Sequence, residues 1–99
     1  MNININSVHF KADKKLEEFI NLRVTKLSTM YDGVIGSEVT LKVDNGEAKE
    51  NKIAEIMLII RGNDLFAKKQ CKTFEEATDM SVDALRRQLK KHKEKLKGR

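Results

Sequence analysis

The apolar residues of this chain switch between the spacing of a strand and the spacing of a helix, in an order that leaves few folds open. In NININSVHF, Ile3 and Ile5 alternate with asparagines at the period of two that a half-buried strand requires. From Asp13 onward Leu16, Phe19, Ile20, Val24, Leu27, Met30 and Tyr31 recur at steps of three and four, which gathers them on one side of a helix. YDGVIG, with Asp-Gly and a second glycine, predicts a turn. SEVTLKV alternates again, with Val39, Leu41 and Val43 on one face and Glu38, Thr40 and Lys42 on the other. DNGEAKENK is polar and reads as a loop around Asn-Gly. The short β-branched run IAEIMLII, bounded by Gly62, predicts a third strand with Ala54, Ile56, Leu58 and Ile60 toward the core and Glu55, Met57 and Ile59 opposite. GND predicts a hairpin turn into LFAKKQC, a fourth strand with Leu65, Ala67 and Cys71 inward. Thr73 with Glu76 forms a capping box, after which helical spacing runs to about Leu96.

The resulting order is β-α-β-β-β-α, and one sheet covering both helices on a single face makes a two-layer α+β sandwich with four strands. A chain of 99 residues fits one domain spanning 1–99. Without proline both helices should run unbroken. No apolar run approaches the roughly 18 residues of a membrane span, and MNININ lacks the basic and then apolar regions of a signal peptide. A cytoplasmic protein with no membrane partner is expected. Cys71 is alone, so no internal disulfide forms, and His9 and His92 have no metal-ligand spacing. Neither metal nor cofactor is expected.

Charge is distributed unevenly. Of the last fourteen residues, RRQLKKHKEKLKGR, eight are Lys or Arg and one, Glu94, is acidic, a net of +7. The first eighty-five carry twelve bases and fourteen acids, so the overall +5 belongs to one segment. At 100° per residue Leu85, Leu89, His92 and Leu96 form an apolar stripe that continues upstream through Val82, Ser81 and Phe74 and packs on the sheet. Beside it Arg86, Lys90, Lys93 and Lys97 make a second stripe, and Arg87, Lys91 and Lys95 a third. Two cation rows on one helix suit a phosphate backbone, where each neutralised phosphate releases condensed counterions. Arg23 and Lys26, on one flank of the first helix, extend this ribbon if the helices lie side by side.

A plainer account also holds: cations near a helix C-terminus complement its dipole, and lysine-rich ends are often simply solvated. Against it, the run has almost no acids for pairing within itself, and like charges four apart repel by roughly 0.2–0.5 kcal/mol per pair. A face kept at that cost points to a polyanion, whether RNA, DNA or acidic lipid. Other candidates are weaker. His92 lies among leucines and reads as a packed, hydrogen-bonded side chain; His9 has no evident partner. Cys71 reads as a small buried side chain beside a helix start. The acid pairs Glu17/Glu18 and Glu75/Glu76 sit in opening helical turns, where the dipole favours them. No phosphate-cradling glycine pattern occurs, and nothing predicts an enzyme.

The helix DALRRQLKKHKEKLK resembles that of the ribosome hibernation promoting factor family, which includes ribosome-associated inhibitor A, or protein Y, and carries the older label sigma-54 modulation protein. The strongest segment is R-Q-L-x-K-H-K-x-K, here Arg87 to Lys95, and LEEFINLRVTKLSTMY is similar to the family's first helix. The resemblance covers essentially the whole chain. It implies a protein that binds the small ribosomal subunit over the decoding centre, where messenger and transfer RNAs would lie, and stops translation in resting cells. It places ribosomal RNA contacts on Arg23, Lys26, Arg87 and Lys91, with Arg86, Lys90 and Lys93 as neighbours. Long family members carry a second domain that pairs ribosomes. A chain ending at Arg99 resembles the short class, which either promotes dimers with a separate ribosome modulation factor or silences single ribosomes; the isolated protein is expected to be a monomer.

The chain departs from the family pattern at Glu75, Thr78 and Ser81, where Tyr, Ile and Leu are common, and at Ala84, where lysine is frequent. The first three predict looser packing of the helix's first half; the fourth removes an expected RNA contact. Two further readings stand beside the ribosomal one: a protein-interaction regulator of the sigma-factor modulation type that uses Met57 and Ile59 on the open sheet face, and a generic double-stranded RNA-binding module.

Overall fold

The structure, a computed structural model, describes residues 1–46 and 49–97, the last by its backbone alone. Six elements follow the predicted order: β1 (Asn2–Ser7), α1 (Lys14–Ser28), β2 (Val34–Val43), β3 (Lys52–Ile60), β4 (Leu65–Cys71) and α2 (Phe74–Lys97). The strands form one sheet in the order β1-β2-β3-β4, with β1 parallel to β2 and the other pairs antiparallel. Both helices pack on the same face, α1 over β1 and β2 and α2 over β3 and β4, and they touch each other.

The core is the surface where the two spacings meet. Leu16, Ile20, Val24 and Leu27 of α1 are buried against Val39 and Leu41 of β2 and Ala54, Ile56, Leu58 and Ile60 of β3, joined by Leu65, Ala67 and Cys71 of β4 and by Val82, Leu85 and Leu89 of α2. Each predicted inward strand residue is buried except Val43, which lies at the exposed end of β2. Asp13 caps α1, its Oδ1 accepting from Leu16 N at 2.8 Å. Thr73 caps α2 the same way, Oγ1 accepting from Glu76 N at 3.1 Å.

Two glycines set the chain's path. Gly62 has φ +83° in the turn Ile60–Asn63, closed by Asn63 N donating to Ile60 O, with Arg61 outside the left-handed region; this is the type II pattern, which needs glycine at its third position. The predicted GND turn is therefore centred one residue earlier, on Arg61 and Gly62. Gly36, expected in a turn, instead lies inside β2, which starts at Val34 and carries a bulge between Val34 and Gly36. A Cβ at Gly36 would stand 2.9 Å from the Asn2 carbonyl oxygen, so the close parallel approach of β1 requires its absence. In the predicted loop before β3, Glu47 and Ala48 lie outside the described residues.

Candidate nucleic-acid interface

α2 has 24 residues, about 36 Å of helix, and only its first two-thirds lies on the sheet. Thr78, Ser81, Val82, Leu85 and Leu89 are buried and His92 is half-buried, whereas Leu96 is 57% exposed. The apolar stripe thus outlasts the surface it was expected to cover. His92 packs edge-on against Tyr31, three residues beyond the end of α1, with ring centroids 5.4 Å apart. Its Nε2 is buried without a hydrogen-bond partner, so the packing of that residue was legible and its expected hydrogen bond is not found.

The cations divide between two sides of α2. Arg86 lines a cleft between the helices together with Arg23 and Lys26 of α1 and with Asp79, Val82 and Asp83. Lys91 and Lys95 border a different hollow, against Asn63 and Leu65 at the β3–β4 turn and His92 of α2. Gln88 lines this second hollow as well, its Nε2 donating to the Phe66 carbonyl of edge strand β4 at 2.9 Å. Arg86, Arg87, Lys90 and Lys91 are exposed, and Lys93 is half-buried. The side chain of Lys97, with Gly98 and Arg99, lies outside the described residues. Arg23 and Lys26 do stand beside the α2 ribbon, because α1 and α2 run side by side.

Spacing within the basic run concealed one feature. The acids that pair its first members lie just upstream: Asp83 Oδ1 is 3.2 Å from Arg86 Nη1 and Asp83 Oδ2 is 3.6 Å from Arg87 Nη1. One turn earlier Asp79 Oδ1 is 2.9 Å from Arg23 Nε across the interhelical cleft. That nitrogen is buried and out of line for a good hydrogen bond, so the contact is chiefly charge on charge. The Arg23 guanidinium also lies over the Phe19 ring at 4.6 Å. The i,i+3 and i,i+4 spacings from Asp83 to Arg86 and Arg87 were readable as a signal; the contact from Asp79 to α1 was not. Lys26, Lys90, Lys91 and Lys93 have no ion-pair partner among the described residues.

Elsewhere the sheet's open face carries Met57 opposite Phe66, both exposed, near exposed Ile35 and half-buried Ile59. The Cys71 thiol is pushed above its ordinary pKa by burial first and then by the carboxylate of Glu76, which outweigh the lowering by Lys69. No group of three or more His, Cys, Asp or Glu side chains among the described residues is placed to hold a metal ion, and no described helix is long and apolar enough to cross a membrane.

Comparison with known proteins gives a consistent picture. The family described as sigma 54 modulation protein / S30EA ribosomal protein matches residues 3–97. A ribosome hibernation promoting factor from Escherichia coli (strain K12) is 31% identical over 97 residues, 98% of each chain. One from Klebsiella oxytoca is 30% identical over 97 residues, again 98% of each. Among solved structures, the N-terminal domain of protein Y from Thermus thermophilus superposes with a TM-score of 0.81 at 20% identity, covering 93% of this chain and 99% of that one. A ribosomal subunit interface protein from Coxiella burnetii gives 0.82 at 17% identity, covering 94% and 98%.

Proposed function

Because the chain belongs to the sigma 54 modulation protein / S30EA ribosomal protein family, we propose that it is a ribosome hibernation factor that lays the cationic side of α1 and α2 against ribosomal RNA of the small subunit. In this reading it occupies the decoding channel, excludes messenger and transfer RNA, and halts translation without chemistry of its own. The observation that carries the proposal is the alignment of Arg23 and Lys26 with Arg86 around one cleft, continued along α2 by exposed Arg87, Lys90 and Lys91 and by Lys93. Arg23, Lys26 and Arg86 converge from two elements on one cleft, which a merely solvated helix end does not require, while Lys91 extends the charge around to the other side of α2.

Co-sedimentation with ribosomes and separated subunits tests it. Binding to the small subunit should weaken steeply with salt: four or five phosphate contacts lose about two orders of magnitude between about 50 and about 200 mM. Arg87→Ala with Lys91→Ala should release the protein from the subunit while leaving it folded; retained binding by that variant rejects the site. Full binding at high salt rejects the electrostatic basis.

The exposed Met57–Phe66 pair supports a second reading, a regulator that docks a protein on the open sheet face. Under it, Met57→Ser with Ile59→Ser abolishes function and the arginine and lysine replacements do not. Under the ribosomal reading the same pair of serines leaves sedimentation unchanged.

A further inference from the structure

Asp83 occupies two arginines of the cationic face at once. A single carboxylate reaches Arg86 through Oδ1 and Arg87 through Oδ2, so it spans two guanidinium groups that belong to different cation rows. Helical spacing holds it there, since residues three and four apart on a helix are neighbours and need no other contact to meet. Asp79 works differently: it grips Arg23 at Nε, and the outer nitrogens of that guanidinium have no hydrogen-bond partner among the described residues. Asp83, by contrast, is next to the terminal Nη1 atoms, the ones a phosphate oxygen would take. All three side chains are at least half exposed, at 57% for Asp83, 50% for Arg86 and 69% for Arg87. Such pairs are weak enough to be displaced by an incoming anion and strong enough to be felt.

We propose that Asp83 is a tethered competitor for phosphate, an affinity-determining residue that keeps Arg86 and Arg87 occupied in the free protein and holds the cationic face below its full strength for RNA. The inference rests on the RNA-contacting reading of that face. Binding through these arginines breaks both ion pairs and brings a carboxylate close to the RNA backbone. Release restores the pairs at once, because the competitor never leaves the helix. The consequence is a face that exchanges its RNA faster than its count of cations implies.

The sign of one substitution separates this role from the opposite one, in which Asp83 orients the arginines for binding. Binding and release of a short uridine oligonucleotide and of small subunits are measured for the full chain at low salt. Asp83→Asn should bind both about three- to fivefold tighter, through slower release, given two helical ion pairs lost together with one like-charge repulsion. Asp83→Glu, which keeps the carboxylate, should stay near the parent. In a background of Arg86→Ala with Arg87→Ala, which itself weakens binding, the gain from Asp83→Asn should shrink to about twofold or less.

Unchanged or weaker binding by Asp83→Asn, where the arginine variants do weaken it, overturns the competitor role and leaves the ribosomal reading standing. An equal gain in both backgrounds also overturns it, by showing a general charge effect that does not pass through the arginines. If the parent protein binds neither RNA nor subunits, the ribosomal reading falls and the inference falls with it.

Discussion

Thr78 and Ser81 stand where α2 meets the sheet, at positions the spacing assigns to apolar side chains, and both are fully buried. They are accommodated unequally. Ser81 Oγ donates to the Ala54 carbonyl of β3 at 3.3 Å, a long bond that still gives the hydroxyl a partner. Thr78 Oγ1 has none in the protein. A buried hydroxyl without a partner costs about 1–3 kcal/mol, while valine fills nearly the same shape without the polar atom. Thr78→Val should therefore raise the free energy of unfolding in urea by about 1 kcal/mol. A loss of stability would show that the hydroxyl is satisfied, by internal water for example, and would remove the penalty. Of the three departures from the family pattern in the helix's first half, Glu75 is exposed, Ser81 is hydrogen-bonded, and Thr78 alone leaves a buried polar atom without a partner.

At the scale of elements, α2 is two helices in one. Its first part is clamped at the start by the stack of Phe74 on Phe10, with ring centroids 5.0 Å apart, and along its length by Leu85 and Leu89. Beyond His92 the stripe turns to solvent. Leu89→Ala should cost about 2–5 kcal/mol through lost burial and the cavity left behind, whereas Leu96→Ala should change stability by less than about 0.5 kcal/mol. Equal costs in urea titrations would mean that the helix end is packed after all. The contrast also marks what could be read from spacing alone. Element order, the inward faces of β3 and β4 and the apolar side of α1 were legible, because strand and helix periods each leave a distinct residue pattern. Periodicity does not reveal where the opposing surface ends, so Leu96 looked identical to Leu89. The start of β2 was hidden for another reason: Gly36 resembles a turn residue until β1 is seen passing against it. The cationic rows of α2 were equally plain from spacing, but their division between two hollows and the reach of Asp79 to Arg23 depend on how α2 rolls against β4 and α1.

Across the whole molecule, support falls off from the centre of the sheet toward the far end of α2. β3 is hydrogen-bonded on both sides and covered on one face, while β1 and β4 are edges, and the molecule extends 48 Å along its long axis against 17 Å across its short one. Amides that open only by global unfolding should accordingly lie in β3, and those that open locally in the overhang. In native-state hydrogen exchange, the amides of Ala54 to Leu58 should be the slowest, and those after Lys93 should exchange faster by several orders of magnitude. Comparable protection at both places would contradict the gradient. Addition of small subunits should slow exchange in the second half of α2 selectively, since on the proposed function that is the part RNA would cover.

The overhang of α2 has a consequence for how such a chain can change over generations. The residues that hold it together and most of those that carry its charge occupy different parts of one helix, and the charged part contributes little to the margin separating folded from unfolded chains. Natural proteins sit only slightly above the stability they need, so a surface coupled to the core can drift little before folding fails. Here lysines on the overhang can be gained, lost or exchanged for arginine at almost no structural cost. On the proposed function, the share of binding strength that those lysines supply can be adjusted by selection in small steps, independently of whether the protein folds.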